Sequence, residues 1–302
     1  MEVLEEVTAV VRGFLVRTNI RRKILPIFRK VVKFLSEQGI DRIYPIKVAL
    51  YNFLFPCLKN PNSVVRIQGH KMYLDPMDAM GLSVWGIHEP LVTKVFKKEI
   101  KKGNVVLDIG AHIGYYTLIA AKLVGENGKV FAFEPEPTNF NLLERNVKAN
   151  GYKNVILVQK AVSNKTGKIK LYLSEDNTGD HRIYDSHDGR RPIEIEAIRL
   201  DDYFKNREEK IDFIKIDTQG SEAWAIQGMP LLLRRNRVKI ITEFEPPLLR
   251  KSGVEPREYL DILSEYGFKL YQINDQENKI ELITRDKLMQ MCENSTNLLC
   301  LK

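Results

Sequence analysis

The sequence predicts an α/β fold, with a mostly parallel sheet covered on both faces by helices. From Gly103 onward, short apolar runs alternate with longer segments in which apolar residues recur at helical spacing. This alternation is typical of a parallel sheet, because each helix returns the chain across the sheet before the next strand begins. With 302 residues, 44% of them hydrophobic, the chain can form one large domain and an accessory part. The apolar runs are VVLDIG, KVFAFEP, NVILVQKA, DFIKIDT and VKIITEF.

Two accessory segments precede this sheet in the predicted order. The first is a basic helical N-terminal extension, in which Val7, Val10 and Phe14 fall on one helical face. The second contains a β-hairpin in SVVRIQGHKMYLDP, with its turn at Gln68-Gly69, followed by a helix in HEPLVTKVFKKEIKKG. The three predicted segments are therefore residues 1–62, 63–102 and 103–302.

The core elements are expected in chain order from Gly103. Helical patterns cover residues 114–124, 137–150 and 221–235 between the apolar runs. Between the third and fourth core strands, GKIKLYLS and RPIEIEAIRL alternate with period two and predict an inserted β-hairpin. FKLYQI, KIELIT and NLLCLK supply the last strands.

Composition excludes several classes of protein. Cys57, Cys292 and Cys300 show no paired spacing, so neither a disulfide framework nor a zinc site is predicted. No signal-peptide pattern is visible, and no apolar run reaches the length that spans a membrane. These observations favour a reducing, cytoplasmic location.

The positive charge is concentrated near the N-terminus. Residues 1–102 hold 18 Lys and Arg against 9 Asp and Glu, whereas residues 103–302 are nearly balanced. Eight basic residues and no acid lie between Glu6 and Glu37. Such a segment fits either a solvated helix face or a surface for a polyanion, meaning nucleic acid or an anionic membrane.

The stretch VVLDIGAHIGYYTLIAAK places an acid and a glycine turn between a strand and a helix. A dinucleotide site needs a third glycine, and Asp108 would repel a pyrophosphate at this turn. A phosphate-binding P-loop is excluded, because no Gly-Lys-Ser/Thr follows. Gly110 and Gly114 therefore predict a ligand that approaches the backbone closely and carries a positive rather than a phosphorylated end.

S-adenosylmethionine has these properties. Its ammonium can pair with Asp108, and its carboxylate can accept backbone N–H groups at the helix start. Glu134 ends the next strand, 24 residues after Gly110, where a carboxylate can accept both ribose hydroxyls.

Longer motifs identify a family. The segment VVLDIGAHIGYYTLIAAKLVGENGKVFAFEPEPTNFNLLERNVKANG, together with VILVQKAVSNKTGKIKLYLSEDNTGDHRIY and IDFIKIDTQGSEAWAIQG, resembles the FkbM-type methyltransferases, a branch of the class I S-adenosylmethionine-dependent enzymes. The resemblance covers about residues 64–250. It implies a Rossmann-like seven-stranded sheet, with strand order 3-2-1-4-5-7-6 and strand 7 antiparallel.

The resemblance also implies where the cofactor lies. His112 replaces a small polar residue, and Gln219 replaces an acid of the family pattern, so both positions depart from it. Glu89, in HEP, is expected near the methionine end of the cofactor; a dipole-stabilised acid at a helix start is the alternative. The implied cofactor-binding residues are Glu89, Asp108, Gly110, His112, Gly114, Glu134, Pro135, Ala161 and Val162.

Methyl transfer to a hydroxyl requires alignment and a base. Asp217 ends the fourth core strand and is the first candidate, because ligands bind outside the carboxyl ends of such strands. Its alternative role is a helix N-cap. Glu222, one turn on, and His181, in the inserted region, are further candidates for the base.

RNA is the expected acceptor, and other acceptor classes are kept as alternatives. The charge distribution favours RNA, ribosomal or transfer, alone or in a ribonucleoprotein, bound through the N-terminal extension. The family resemblance favours a hydroxyl on a sugar, glycolipid or small metabolite. Peripheral contact with an anionic membrane and a non-catalytic S-adenosylmethionine-binding module are the remaining alternatives. The residues predicted to contact RNA are Arg21, Arg22, Lys23, Arg29 and Lys30.

Overall fold

The computed structural model describes residues 24–27, 30, 58, 63–275, 277–291 and 294–302. It divides into two compact units, Met1–His88 and Glu89–Lys302. The predicted helical extension lies almost wholly outside the described residues, although residues 24–27, 30 and 58 are helical. The predicted segment boundaries at residues 62 and 102 stay a prediction. Elements are numbered here from residue 63.

The first unit contains the hairpin that the sequence predicts. β1 (Val64–Ile67) and β2 (His70–Tyr73) pair antiparallel, and Ile67 lies opposite His70. Gln68 and Gly69 form the loop and both have positive φ, 50° and 86°, as a two-residue turn that follows the strand twist requires. The short helix α1 (Leu82–Trp85) follows.

The second unit is built on an eight-stranded sheet and a small three-stranded sheet, with helices between the strands. Its helices are α2 (Pro90–Glu99), α3 (Tyr115–Val124), α4 (Pro137–Ala149), α5 (Leu200–Tyr203), α6 (Glu222–Gln227), α7 (Pro230–Arg235), α8 (Pro246–Lys251), α9 (Pro256–Glu265) and α10 (Arg285–Gln290). Its strands are β3 (Val105–Ile109), β4 (Lys129–Phe133), β5 (Val155–Val158), β6 (Ala161–Val162), β7 (Gly167–Leu173), β8 (Arg191–Ile198), β9 (Phe213–Ile216), β10 (Lys239–Phe244), β11 (Lys269–Asn274), β12 (Lys279–Leu282) and β13 (Thr296–Leu301).

The large sheet has the order β12-β11-β13-β10-β9-β3-β4-β5. The neighbouring pairs β5–β4, β4–β3, β3–β9 and β9–β10 are parallel, whereas β13 is antiparallel to both of its neighbours. The seven-stranded order that the resemblance implies is present. An eighth strand, β12, extends it because KIEL pairs with the outer edge of β11.

The inserted region forms a sheet of its own. β7 and β8 pair antiparallel from Gly167 opposite Ala197 to Leu173 opposite Arg191, and the two-residue β6 lies parallel to β8. Buried apolar side chains between them make a small separate core, formed by Ala161, Leu171, Ile195 and Ala197.

The helical pattern over residues 221–235 is divided into α6 and α7. The division falls at Gly228, where an added Cβ would lie 2.1 Å from the Ser163 carbonyl oxygen. The close approach of this loop, together with Pro230 at the start of α7, ends one helix and begins the next.

The main core lies between the large sheet and the helices packed on it. Phe131, Phe133, Phe244 and Tyr259 are fully buried there. The Tyr259 hydroxyl lies 2.7 Å from Thr242 Oγ1, so the polar groups that enter this core satisfy each other. In the described part of the chain, no helix is both long enough and apolar enough to span a bilayer.

We predict that Thr242→Val lowers the free energy of unfolding by about 1–3 kcal/mol, because it leaves the buried Tyr259 hydroxyl without this partner. The double variant Thr242→Val/Tyr259→Phe should be more stable than Thr242→Val alone, since both polar groups are then removed. Urea unfolding followed by circular dichroism measures both values. Equal stability of the single and double variants would contradict a buried hydrogen bond at this position.

Candidate active site

The glycine turn after β3 is packed against the end of β9. Gly110 has φ +80°, and an added Cβ would lie 1.8 Å from the Asp217 carbonyl oxygen. Gly114 has φ +94°, and its Cβ would lie 2.7 Å from a methyl group of Leu143. No side chain fits at Gly110, since the clash is with backbone. The turn therefore lies directly beside the carboxyl end of β9.

Glu134 is buried beside this turn. Its Oε2 accepts the His112 backbone N–H at 2.8 Å, and its Oε1 accepts the Glu136 N–H at 2.9 Å. Burial raises the pKa of Glu134 to about 7. Each carboxylate oxygen has more than one acceptor position, so the two oxygens can also accept a pair of neighbouring hydroxyls.

His112 joins the turn to the inserted region. Its φ is +49°, and its Nε2 lies 3.1 Å from Thr178 Oγ1 in the loop between β7 and β8. The Thr178 carbonyl accepts the Asn139 side-chain amide from α4 at 2.8 Å. The inserted loop thus contacts both the glycine turn and the start of the helix after Glu134.

Asp108 is 1% exposed and bonded within the core. Its Oδ2 accepts the Thr117 hydroxyl of α3 at 2.5 Å. Burial raises the pKa of Asp108, and Lys215 and Thr117 act in the opposite direction. Asp108 therefore fixes the first turn of α3 on β3. Its predicted contact with a ligand ammonium stays a prediction.

Polar side chains form a row across one face of four adjacent strands. Asp108 on β3 lies opposite Lys215 on β9, and Glu243 on β10 lies opposite Asn297 on β13. Lys215 lies opposite Ile241 of β10, and Ile241 shares a face with Glu243 because side chains two residues apart in a strand point the same way. The side chains of Asp108, Lys215, Glu243 and Asn297 are therefore on the same face of the sheet. Asp217 continues this face just beyond β9.

A chain of contacts joins the residues at the carboxyl ends of β9 and β10. Lys215 Nζ lies 2.9 Å from Asp217 Oδ2, and the Gln219 amide nitrogen lies 3.0 Å from Asp217 Oδ1. The same nitrogen lies 3.4 Å from Glu243 Oε2. Gln219 has φ +54°, and its carbonyl accepts the Tyr184 hydroxyl at 2.8 Å. Gln219, in a left-handed backbone conformation, therefore holds the carboxyl groups of Asp217 and Glu243 near each other.

Glu89 faces this row from the start of α2, where its φ is +41°. Its Oε2 accepts the Tyr116 hydroxyl at 2.9 Å, and its Oε1 accepts the Asn297 side-chain amide at 2.8 Å. Glu89 thus links α2 to α3 and to the antiparallel strand β13.

Glu222 points into its own loop. Its Oε1 accepts the backbone N–H groups of Thr218 at 2.9 Å and Gly220 at 3.2 Å. Burial raises its pKa to about 7. These contacts hold the shape of the loop that carries Asp217 and Gln219.

Burial lowers the pKa of His181 below its ordinary value, which favours the neutral imidazole. Its Nδ1 accepts the Ser174 backbone N–H at 3.0 Å within the inserted loop. Of the other predicted residues, Ala161 and Val162 form β6 and are buried, and Pro135 follows Glu134 directly.

The predicted nucleic-acid surface is largely outside the described residues. Lys30 is helical and exposed. Arg21, Arg22, Lys23 and Arg29 lie outside the part of the chain that the structure describes.

Sequence reasoning missed Lys215, Tyr116 and Asn297, and it treated Gln219 only as a departure from a pattern. Lys215 had a detectable signal, since a lysine within the apolar run FIKI needs a buried partner and Asp217 lies two residues away. Tyr116 and Asn297 had none, because their roles depend on which elements meet at Glu89.

Comparison with known protein families identifies the family of this chain. The model of the family described as the methyltransferase FkbM domain matches residues 108–270, more than half of the chain. The chain belongs to the FkbM methyltransferase family. It is an S-adenosylmethionine-dependent methyltransferase.

Relatives with assigned activities match parts of the chain. The hexuronic acid methyltransferase AglP of Haloferax volcanii is 28% identical over 189 residues, which are 60% of this chain and 72% of that protein. A probable cobalt-precorrin-6B C(15)-methyltransferase (decarboxylating) of Saccharolobus solfataricus is 31% identical over 131 residues, which are 43% of this chain and 63% of that protein. The solved FkbM methyltransferase of Methylobacillus flagellatus KT is 14% identical with a TM-score of 0.41, over 74% of this chain and 53% of that chain.

The residues at the glycine turn fit the FkbM-family cofactor chemically. Gly110 leaves the backbone open to close approach, and Glu134 offers two acceptor oxygens to the ribose hydroxyls. α3 begins at the turn with Gly114 as its N-cap, so the positive end of the helix dipole lies beside this turn, which favours a negatively charged group such as the methionine carboxylate.

We predict that Glu134→Ala weakens S-adenosylmethionine binding by about 1–3 kcal/mol, the usual cost of losing hydrogen bonds to a charged group. Because the pKa of Glu134 is about 7, wild-type affinity should rise between pH 6 and pH 8 as the carboxylate forms. Calorimetry with S-adenosylmethionine and S-adenosylhomocysteine measures both effects.

Glu134→Gln should lose the pH step, whereas Glu144→Gln should behave as wild type, because Glu144 is a half-buried acid on α4 that pairs with Lys148. Unchanged affinity in Glu134→Ala, or tight NAD binding by the wild type, would contradict the placement of the ribose at Glu134.

Proposed function

We propose that this enzyme transfers the methyl group of S-adenosylmethionine to a hydroxyl of a sugar or glycolipid, with Asp217 as the general base. The observation that carries this proposal is the position of the Asp217 carboxylate, held at both oxygens beside the glycine turn and at the carboxyl end of β9. In open α/β sheets this is the edge where ligands bind. The sugar methyltransferase activity named for the Haloferax relative supports the same class of acceptor.

The chemistry follows from this placement. S-adenosylmethionine supplies a methyl group that is already activated for displacement. The acceptor hydroxyl gives its proton to Asp217 as its oxygen bonds the methyl carbon and the carbon–sulfur bond breaks, which leaves S-adenosylhomocysteine and protonated Asp217. Lys215 and Gln219 hold the base in place during the transfer.

Each remaining candidate has a role in this proposal. Glu222 shapes the loop of Asp217, and neutral His181 orders the inserted loop. Glu89 lies at the methionine end of the cofactor. The residues proposed to surround the rest of the cofactor are Asp108, Gly110, His112, Gly114, Glu134, Pro135, Ala161 and Val162.

The charges near Asp217 favour an uncharged acceptor group over a phosphate-rich one. Burial raises the pKa of Glu243 well above its ordinary value, and Asp217 raises it further. The nearby cations are already paired and shielded, since Lys215 is 3% exposed and Arg182 is 7% exposed and bonded to Asp180. Carboxylates that accept hydroxyl groups are common sugar ligands, whereas they repel phosphates. RNA stays an alternative, supported by the basic residues of the N-terminal third.

We predict that Asp217→Asn reduces turnover by about 10²-fold or more, the scale of a lost general base, while S-adenosylmethionine affinity stays close to wild type. Asp261→Asn is the matched control and should keep full activity, because Asp261 is a half-buried acid on α9 that pairs with Arg285. Single-turnover transfer of labelled methyl groups measures the first quantity and calorimetry the second. Loss of cofactor affinity in Asp217→Asn would instead make Asp217 a cofactor ligand.

The acceptor class is tested by tritiated methyl transfer to total RNA, intact ribosomes, and lipid and glycan extracts. Label in the glycan or glycolipid fraction is the expected result. Label in RNA, with transfer that falls steeply with salt, would reverse the assignment. In that case replacing Arg21, Arg22, Lys23, Arg29 and Lys30 with neutral residues should flatten the salt dependence and leave cofactor binding intact. Cofactor binding without transfer to any fraction would indicate a non-catalytic module.

A further inference from the structure

Lys215 is a buried lysine in the middle of the sheet. It lies in β9 with only 3% of its surface exposed, and its Nζ is 4.4 Å from the centre of the Tyr116 ring. A lysine is rarely buried in a strand without a charged partner, because removing an ammonium from water is costly. Its partner is Asp217 Oδ2, at 2.9 Å.

The surroundings of Lys215 are acidic. Burial acts to lower the pKa of Lys215, but the nearby carboxylates raise it above its ordinary value, so the ammonium stays charged. Tyr116 adds the face of an aromatic ring, which also favours a cation. The carboxylates that raise its pKa are Asp217, Glu89 and Asp108.

The same acids would favour protonation of Asp217 if Lys215 were absent. Gln219 holds Glu243 beside Asp217, and the charge of Asp217 raises the pKa of Glu243 and of Glu222. Two neighbouring carboxylates do not both ionise readily. Gln219 is a neutral donor and does not offset their charge. Among the residues that the structure describes, the charged groups that face Asp217 include Lys215, Asp108, Glu222, Glu243 and Glu245.

We infer that Lys215 is a positioning residue that keeps the Asp217 carboxylate ionised and turned toward the acceptor hydroxyl. This inference rests on the proposed role of Asp217 as the base. Lys215 occupies Oδ2, and Gln219 occupies one acceptor position of Oδ1. A carboxylate oxygen has two acceptor positions, so the contacts with Lys215 and Gln219 do not by themselves prevent Asp217 from receiving a proton from a hydroxyl. If the ion pair were purely structural, replacing Lys215 would change the free energy of unfolding and leave the pH dependence of turnover unchanged.

Lys215→Met removes the charge and keeps most of the packing. At pH values on the acid limb of the wild type, we expect turnover to fall by about tenfold or more, which is the effect of a shift of one pH unit, with a smaller change in KM for the acceptor. The acid limb of the pH dependence of kcat should move up by about one pH unit or more, the scale of a lost neighbouring charge. Lys215→Arg, which keeps the charge, should return the limb to near the wild-type position.

A double-variant cycle tests whether Lys215 acts through Asp217. In the Asp217→Asn background, Lys215→Met should cause no further loss of turnover beyond about twofold. The inference would be overturned if Lys215→Met lowered turnover by the same factor in the wild type and in Asp217→Asn, and if the acid limb of kcat did not move. Lys215 would then be a stabilising residue. Lys239→Met is the matched control, because Lys239 is a lysine of the same sheet, at the start of β10, that also pairs with a carboxylate, Glu99 of α2. It should leave the limb unchanged.

A measurement independent of turnover separates this inference from the proposed function. The carboxyl carbon of Asp217, labelled with ¹³C and assigned by its absence in Asp217→Asn, should titrate at higher pH in Lys215→Met than in the wild type. An identical titration would overturn the inference. If the wild type methylates no hydroxylated acceptor, the proposed function fails, and the titration still decides what Lys215 does. If Lys215→Met does not fold, Lys215→Arg tests the inference instead. Because Lys215→Arg keeps the positive charge, an acid limb of kcat that moves by a full pH unit in this variant would overturn the inference.

Discussion

The contact between the glycine turn and the end of β9 is the constraint on which the site depends. The glycine turn, where we propose that the cofactor binds, follows β3. The proposed base Asp217 follows β9, and the two strands are neighbours in the sheet. At Gly110 the two backbones are so close that a single methyl group would lie 1.8 Å from a carbonyl oxygen. The distance between the two halves of the site is therefore set by backbone packing, which flexible side chains cannot restore once it is lost.

Much of this arrangement could be predicted from the sequence. Period-two and helical patterns gave the strand and helix order, and VVLDIGAHIGYYTLIAAK with FAFEPEP placed Gly110 and Glu134 at adjacent strand ends. These features are local, because each depends on residues close in sequence. The eighth strand β12 could be detected as a strand, but its place at the sheet edge depends on pairing with β11. The break at Gly228 depends on Ser163, which is distant in sequence.

The roles of individual polar residues were harder to predict, for a physical reason. Whether a carboxylate serves catalysis or structure depends on which donors surround it. Glu222 faces three donor groups of its own loop, whereas Asp217 is held by Lys215 and Gln219 at the edge of the sheet. The two residues are five positions apart and chemically alike. Only their orientation separates them, and orientation follows from the turn between them, where Gln219 has a positive φ.

The inserted sheet contacts both halves of the site. Thr178 bonds His112 of the glycine turn and Asn139, and Tyr184 bonds the backbone carbonyl of Gln219 beside the proposed base. Exchanging the inserted sheet between relatives would consequently change more than the preference for the acceptor. A graft that introduced new acceptor contacts would also remove the supports of the cofactor turn. Engineering of selectivity in this chain is better confined to the exposed positions Asp185 and His187, which contact each other.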